Sequence, residues 1–118
     1  LTAALVTGGT KVEINGGDTI TVSDATASVS EINLINAKTT GVTSATLAAD
    51  TLSNLGSLAD KTGATDNAYT ITVTDTADST LTAANLSTLG GKTSAAVTVT
   101  NTHTISGSID NLTAALVT

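Results

Sequence analysis

The chain has 118 residues, a net charge of −6 with only four Lys and Arg, and a single aromatic residue, Tyr69, with no Pro, Cys, Met, Trp or Phe. Four basic residues are too few for the footprint that nucleic acid requires; the lack of Cys excludes disulfides and thiolate metal sites; and no run reaches the about 20 apolar residues of a membrane span. A hydrophobic content of 40% argues against simple disorder, so a core is expected, built from small β-branched and aliphatic side chains.

The chain opens on Leu1-Thr-Ala-Ala-Leu5-Val-Thr7 and closes on the same heptapeptide at 112–118. After the first copy, Lys11-Val-Glu-Ile-Asn15 alternates polar and apolar residues and predicts a short strand. Asn15-Gly-Gly-Asp18 is a turn signal. Residues 19–24 alternate again, with Ile20 and Val22 on one face, and predict a half-buried strand that the preceding one could join as a hairpin. Ser28 and Glu31 have the spacing of a capping box, which starts a short helix ending near Lys38. Residues 42–47 read as a weaker strand, and Asp50 or Thr51 can cap a helix over 52–60, where Leu52, Leu55 and Leu58 share a face.

The pattern then restarts. Tyr69-Thr-Ile-Thr-Val-Thr-Asp75 repeats the strand of 19–24, the Leu spacing predicts a helix over 80–89, and residues 96–102 read as a fourth strand. Ser108 can cap a last helix, where Ile109, Leu112 and Leu116 share a face. A Leu/Ile-x-x-Lys-Thr pattern recurs at Lys38-Thr39, Lys61-Thr62 and Lys92-Thr93. Strand starts fall at a spacing of roughly 23–28 residues, in the range of repeat architectures. The fold expected is an α/β solenoid of stacked strand-plus-short-helix coils, with a right-handed parallel β-helix as the alternative. Residues 1–118 would be one repeat-array segment, with 1–18 the tail of a preceding repeat, 19–69 repeat one and 70–118 an incomplete repeat two. The chain starts and stops inside the same motif, so it is expected to be a window on a longer array. Leu1, Leu5, Leu112 and Leu116 would then form the junction between periods.

The segments Thr19-Ile-Thr-Val-Ser-Asp24 and Tyr69-Thr-Ile-Thr-Val-Thr-Asp75, a short helix after each, and Lys38-Thr-Thr-Gly-Val-Thr43 resemble the Thr/Ala/Val-rich tandem repeats of giant secreted surface proteins of cyanobacteria and other Gram-negative bacteria. Such proteins look like type I secretion substrates, with calcium-binding nonapeptide repeats elsewhere in the chain. The resemblance covers 19–43 and 70–98 best. It implies an extracellular surface or filament protein and supplies no catalytic residues.

Asp24 and Asp75 end equivalent strands, and each would cap the turn or helix that follows, or supply one calcium ligand per coil. Asp18 and Asp66 lie in oxygen-rich loops that would hold the same ion. No cofactor is expected beyond calcium. Thr19, Thr21, Thr70, Thr72, Thr98 and Thr100 would line an outward Thr face, which suits an exposed strand surface and is also the pattern of an ice-binding array. His103, the one His, has no Ser–Asp or metal-ligand context, and Glu13 and Glu31 have no acid/base partner, so no enzyme is expected. Asn85 and Asn111 open glycosylation sequons that sit inside predicted helices. The function expected is a structural repeat of an extracellular filament, sheath or giant surface protein, with other copies of itself as partner and no membrane insertion. An adhesin stalk or calcium-dependent binding module is the alternative, and ice binding a third.

Overall fold

Residues 14–117 are described by a computed structural model. In chain order they form β1 (Ile20–Thr21), α1 (Val29–Asn36), β2 (Thr43–Thr46), α2 (Leu52–Leu55), β3 (Ala68–Val73), β4 (Thr80–Thr82), α3 (Ala83–Gly90), β5 (Val97–Val99), β6 (Thr104–Ser106) and α4 (Ile109–Leu116). The strands β1, β2, β3 and β5 make a four-stranded sheet in that order, with every pair parallel. A second, two-stranded parallel sheet joins β4 to β6. The helices α1, α2 and α3 lie in the crossovers between parallel strands, as parallel pairing demands, and α4 follows the last strand.

The expected solenoid of uniform coils, and the parallel β-helix alternative, are therefore corrected to a small α/β unit: one four-stranded parallel sheet, four helices and a side sheet around a single core cluster. The physical reason lies in unequal elements. β1 has two residues and β3 six, while α2 has four residues and the other helices eight. The helix expected over 80–89 begins only at Ala83, because Thr80 and Thr82 are β-branched and pair with Thr104 and Ser106 instead. β6 itself carries no alternation long enough to read from sequence. The helix expected over 52–60 stops at Leu55, although Leu58 is still buried by the turn that follows.

Local signals set the other boundaries. The Ser28 hydroxyl accepts from the Glu31 N–H at 3.3 Å and the Glu31 carboxylate accepts from the Ser28 N–H at 2.9 Å, the capping box read from the sequence. The Ser28 backbone N–H, then its hydroxyl, hold the Glu31 carboxyl below its ordinary range. Thr51 caps α2 through the Asn54 N–H, and Ser108 caps α4 through the Asn111 N–H. The segment expected to lead into the β1 hairpin lies largely outside the described residues, as do Leu1 and Leu5.

The core is made of rows. Ala45 lies beside Tyr69, Ile71 beside Val97, and Val73 beside Val99. From the helical side Ile32, Leu55, Leu58, Leu86 and Leu89 close over them, all buried. Each such aliphatic side chain contributes about 1.5–3 kcal/mol relative to exposure. The Lys-Thr repeats fasten successive strands. Thr39 Oγ1 lies 3.0 Å from the Gly16 carbonyl and 2.5 Å from that of Asp18; Thr62 Oγ1 donates to the Thr39 carbonyl; Thr93 Oγ1 donates to the Tyr69 carbonyl and accepts from the Tyr69 N–H, both at 2.8 Å. Each of these threonines thus bonds to the segment one crossover earlier. Two glycines let these loops nest: a Cβ on Gly41 would strike the Asp18 and Gly17 carbonyls, and one on Gly63 the Thr40 carbonyl.

Tyr69 is fully buried, and neither its hydroxyl nor the neighbouring Thr43 Oγ1 completes a hydrogen bond. Burial pushes the hydroxyl's pKa up to about 12, the nearby Thr43 hydroxyl opposing the rise in part. The folded pKa lies above the ordinary value of 10.0, so its contribution to stability is complete below pH 10.0 and is lost as pH rises toward about 12. Replacing Tyr69 by Phe removes an unpaired buried hydroxyl, which costs about 1–3 kcal/mol when left unsatisfied. The Tyr69→Phe protein is therefore expected to be as stable as the wild type or more so at neutral pH, and to lose the alkaline unfolding step. Urea midpoints at neutral and alkaline pH check both; a variant weakened at neutral pH would show that the hydroxyl is in fact satisfied.

Candidate assembly surface

The two ends of the four-stranded sheet differ. At the β1 end the inward apolar side chains are covered: Ile20, Ile32 and Ile35 are all buried, while Leu34 of α1 is 47% exposed. At the β5 end they are not. α4 packs along α3, yet none of its residues is buried. Leu112 and Ala115 are half-buried against the rest, while Ile109, Leu116 and Val117 are 76%, 60% and 77% exposed. Positions that carry buried Leu86 and Leu89 in α3 find only half-buried Leu112 and Ala115 in α4.

Between α3, α4 and β5 lies an open cleft of about 640 Å³, lined among others by Leu86, Val97, Val99, Ile105, Ala115 and Leu116. None of its lining residues is ionisable. Beside it runs β5, whose Val97, Thr98 and Val99 pair, among the described residues, with β3 on one side only. Natural sheet edges usually carry charge, Pro or a bulge that discourages further pairing; β5 has neither charge nor Pro. The cleft can accept apolar side chains and the strand can accept a backbone partner.

The residues singled out as metal ligands do not converge there or elsewhere. Asp18 accepts from the Asn15 N–H at 2.9 Å, Asp66 pairs with Lys61 at 2.5 Å, and Asp24 is exposed in a bend. Asp75 accepts from the Leu52 N–H at 2.6 Å, so it caps the preceding helix α2 rather than the turn that follows it. Among the described residues no group of three or more acidic or His side chains could hold an ion.

The Thr face is assembled only in part. Thr72 lies beside Thr98, and Thr70 beside Thr46, whereas Thr21 adjoins Ser44 and then Ala68. Thr19 is exposed ahead of β1, and Thr100 turns its hydroxyl to the Val73 carbonyl at 3.0 Å. Of the junction residues, Leu112 and Leu116 fall on α4 at the open end.

Sequence reasoning missed two clusters. His103 receives Ser79 Oγ at Nδ1 (3.1 Å), and its Nε2 donates to the Thr100 carbonyl (2.9 Å), a pairing across 24 residues flanked by left-handed Asp78 and Asn101. Asn36 and Asn67 meet in the core, Asn67 Nδ2 donating to Asn36 Oδ1 at 2.9 Å. The regular spacing of the strands was the one signal for either. Lys92 likewise reaches across to Asp60, at 2.7 Å, and this bond holds the Asp60 carboxyl below its ordinary range. No helix among the described residues is long and apolar enough to cross a membrane. No protein-family model, curated protein or solved structure matches the chain.

Proposed function

We propose that the chain is a structural, self-associating unit of a bacterial extracellular filament, sheath or giant surface protein, in which the β5–α4 end of one copy receives the β1–α1 end of the next. The observation that carries this reading is the uncharged β5 edge with an uncharged cleft of mixed apolar and hydroxyl-bearing side chains beside it. A lining without ionisable groups favours packing over chemistry. β1 supplies a matching edge: Thr19-Ile-Thr-Val22 has the same sequence as Thr70-Ile-Thr-Val73, which in β3 takes a parallel strand on each side. Among the described residues β1 pairs on one side only. Parallel strands added in this way keep one direction, so the contact is head-to-tail and continues from copy to copy. The Thr-rich, Cys-free composition and the resemblance to secreted repeat proteins support the extracellular setting.

Sedimentation velocity across a range of concentrations tests the reading. The expected result is a series of growing species for the wild type and a single monomer for Thr98→Lys with Leu116→Lys, both exposed positions whose replacement leaves the core untouched. A wild-type protein that stays monomeric at every concentration would remove the basis for the proposal.

A further inference from the structure

We infer that Asn15–Gly16 is a self-modifying site, at which spontaneous succinimide formation converts Asn15 to aspartate or isoaspartate and loosens the anchoring of β1. The chain has eight asparagines, and only Asn15 is followed by Gly; the others precede Leu, Ala or Thr. Asn15 and Gly16 are exposed in a turn closed by the Asp18 N–H on the Asn15 carbonyl at 3.0 Å. No described group holds the Asn15 side-chain amide or the Gly16 N–H. The amides of Asn33, Asn36, Asn54, Asn67 and Asn101 are all bonded, and Asn85 and Asn111 lie inside helices. Gly16 has no Cβ to hinder its nitrogen.

The step balances without a cofactor. Gly16 N loses its proton to solvent base and attacks Asn15 Cγ; the N–Cγ bond forms, the Cγ–Nδ2 bond breaks, and ammonia leaves. Water then opens the ring at either carbonyl. Opening at the backbone carbonyl leaves the isoaspartyl link, which lengthens the main chain by one atom. Either product places a new carboxylate beside Asp18, whose own carboxylate accepts from the Asn15 N–H.

The consequence follows from what Gly16 holds. Its carbonyl accepts from Thr39 Oγ1 at 3.0 Å, from Thr40 Oγ1 at 2.7 Å and from the Thr40 N–H, so it ties the start of β1 to the loop between α1 and β2. An extra backbone atom immediately before Gly16 displaces that carbonyl. β1 has only two residues, and its ladder to β2 rests on the Ile20 and Val22 N–H groups. These amides are the ones freed.

Protein aged in mildly alkaline buffer tests this by peptide mass spectrometry, with an isoaspartyl methyltransferase as the probe of the isomerised link and amide hydrogen exchange on the aged fraction. Isoaspartate is expected at position 15 alone, with faster exchange at Ile20 and Val22. Gly16→Ala, whose Cβ meets nothing within 4 Å, is expected to lose the modification while keeping the fold. Asn15→Asp adds the charge without the extra atom, and is expected to leave those two amides protected. An unmodified Asn15 after ageing, or modification with unchanged β1 exchange, overturns the inference.

Discussion

Replacing Asn67 by Ala is expected to destabilise the protein by about 2–6 kcal/mol, enough to unfold it in mild urea. Asn67 is 1% exposed. Its Oδ1 accepts from the Thr43 N–H at 2.8 Å, and its Nδ2 donates to Asn36 Oδ1 at 2.9 Å. Asn36 in turn donates to the Asp60 carbonyl at 3.1 Å, so one side chain links β2, the start of β3 and the end of α1. Truncation strands the Thr43 N–H, on a residue that is itself fully buried, and one buried side-chain carbonyl. Each unpaired buried group costs about 1–3 kcal/mol, against a total stability of about 5–15 kcal/mol for a domain. A urea titration followed by circular dichroism reads the shift. A loss below about 1 kcal/mol would mean that water replaces the amide, and that the Asn36–Asn67 pair is not a structural link.

Thr93→Val is expected to cost a similar amount, for a related reason at a different place. Thr93 is 7% exposed, and its hydroxyl takes both backbone groups of Tyr69 as well as the Ala95 N–H at 3.2 Å. Valine fills the same volume and satisfies none of them. Thr93→Ser keeps the hydroxyl and loses one methyl group, worth about 0.8 kcal/mol. The two variants separate packing from hydrogen bonding. If both fall equally, the methyl group rather than the hydroxyl is what β3 needs.

Much of the secondary structure was legible because it depends on neighbours in the chain. Ser28 with Glu31 and Ser108 ahead of Ile109 marked helix starts, and the Thr-Ile-Thr-Val segments marked strands at β1 and β3. The recurring Lys-Thr pairs were visible, but their use was not. Thr39 and Thr93 act on backbone 21–24 residues away, a distance at which side-chain direction is fixed by tertiary contact. The strand at 80–82 was hidden for the same reason. Thr80, Leu81 and Thr82 fit a helical spacing with Leu86 and Leu89, and only their pairing with 104–106 decides for a strand. The regular spacing also suggested uniform coils, yet the lengths of α2 and β1 and the split into two sheets show that spacing alone does not fix element size. The aspartates misled in another way. Asp75 and Asp24 occupy equivalent sequence positions, but among the described residues only Asp75 accepts from a helix N-terminus.

The open end at α4 was legible only in part. The repeated heptapeptide drew notice to Leu112 and Leu116, whereas the cleft lining from Val97, Val99 and Ile105 depends on how β5 and β6 pair. The absence of Cys from the chain gives a direct way to ask what fills that cleft. Thr21 and Thr98 both lie exposed on the outward side of their strands, one at each end of the sheet. Matching the apolar–polar–apolar phase of the two edges places Thr21 of one copy beside Thr98 of the next. The decisive measurement is disulfide formation in an equal mixture of Thr21→Cys and Thr98→Cys proteins under mild oxidation. Head-to-tail assembly is expected to give the mixed dimer in excess, with little dimer from either variant alone. Homodimers of Thr98→Cys at equal or higher yield, or no cross-link in the mixture, would contradict it.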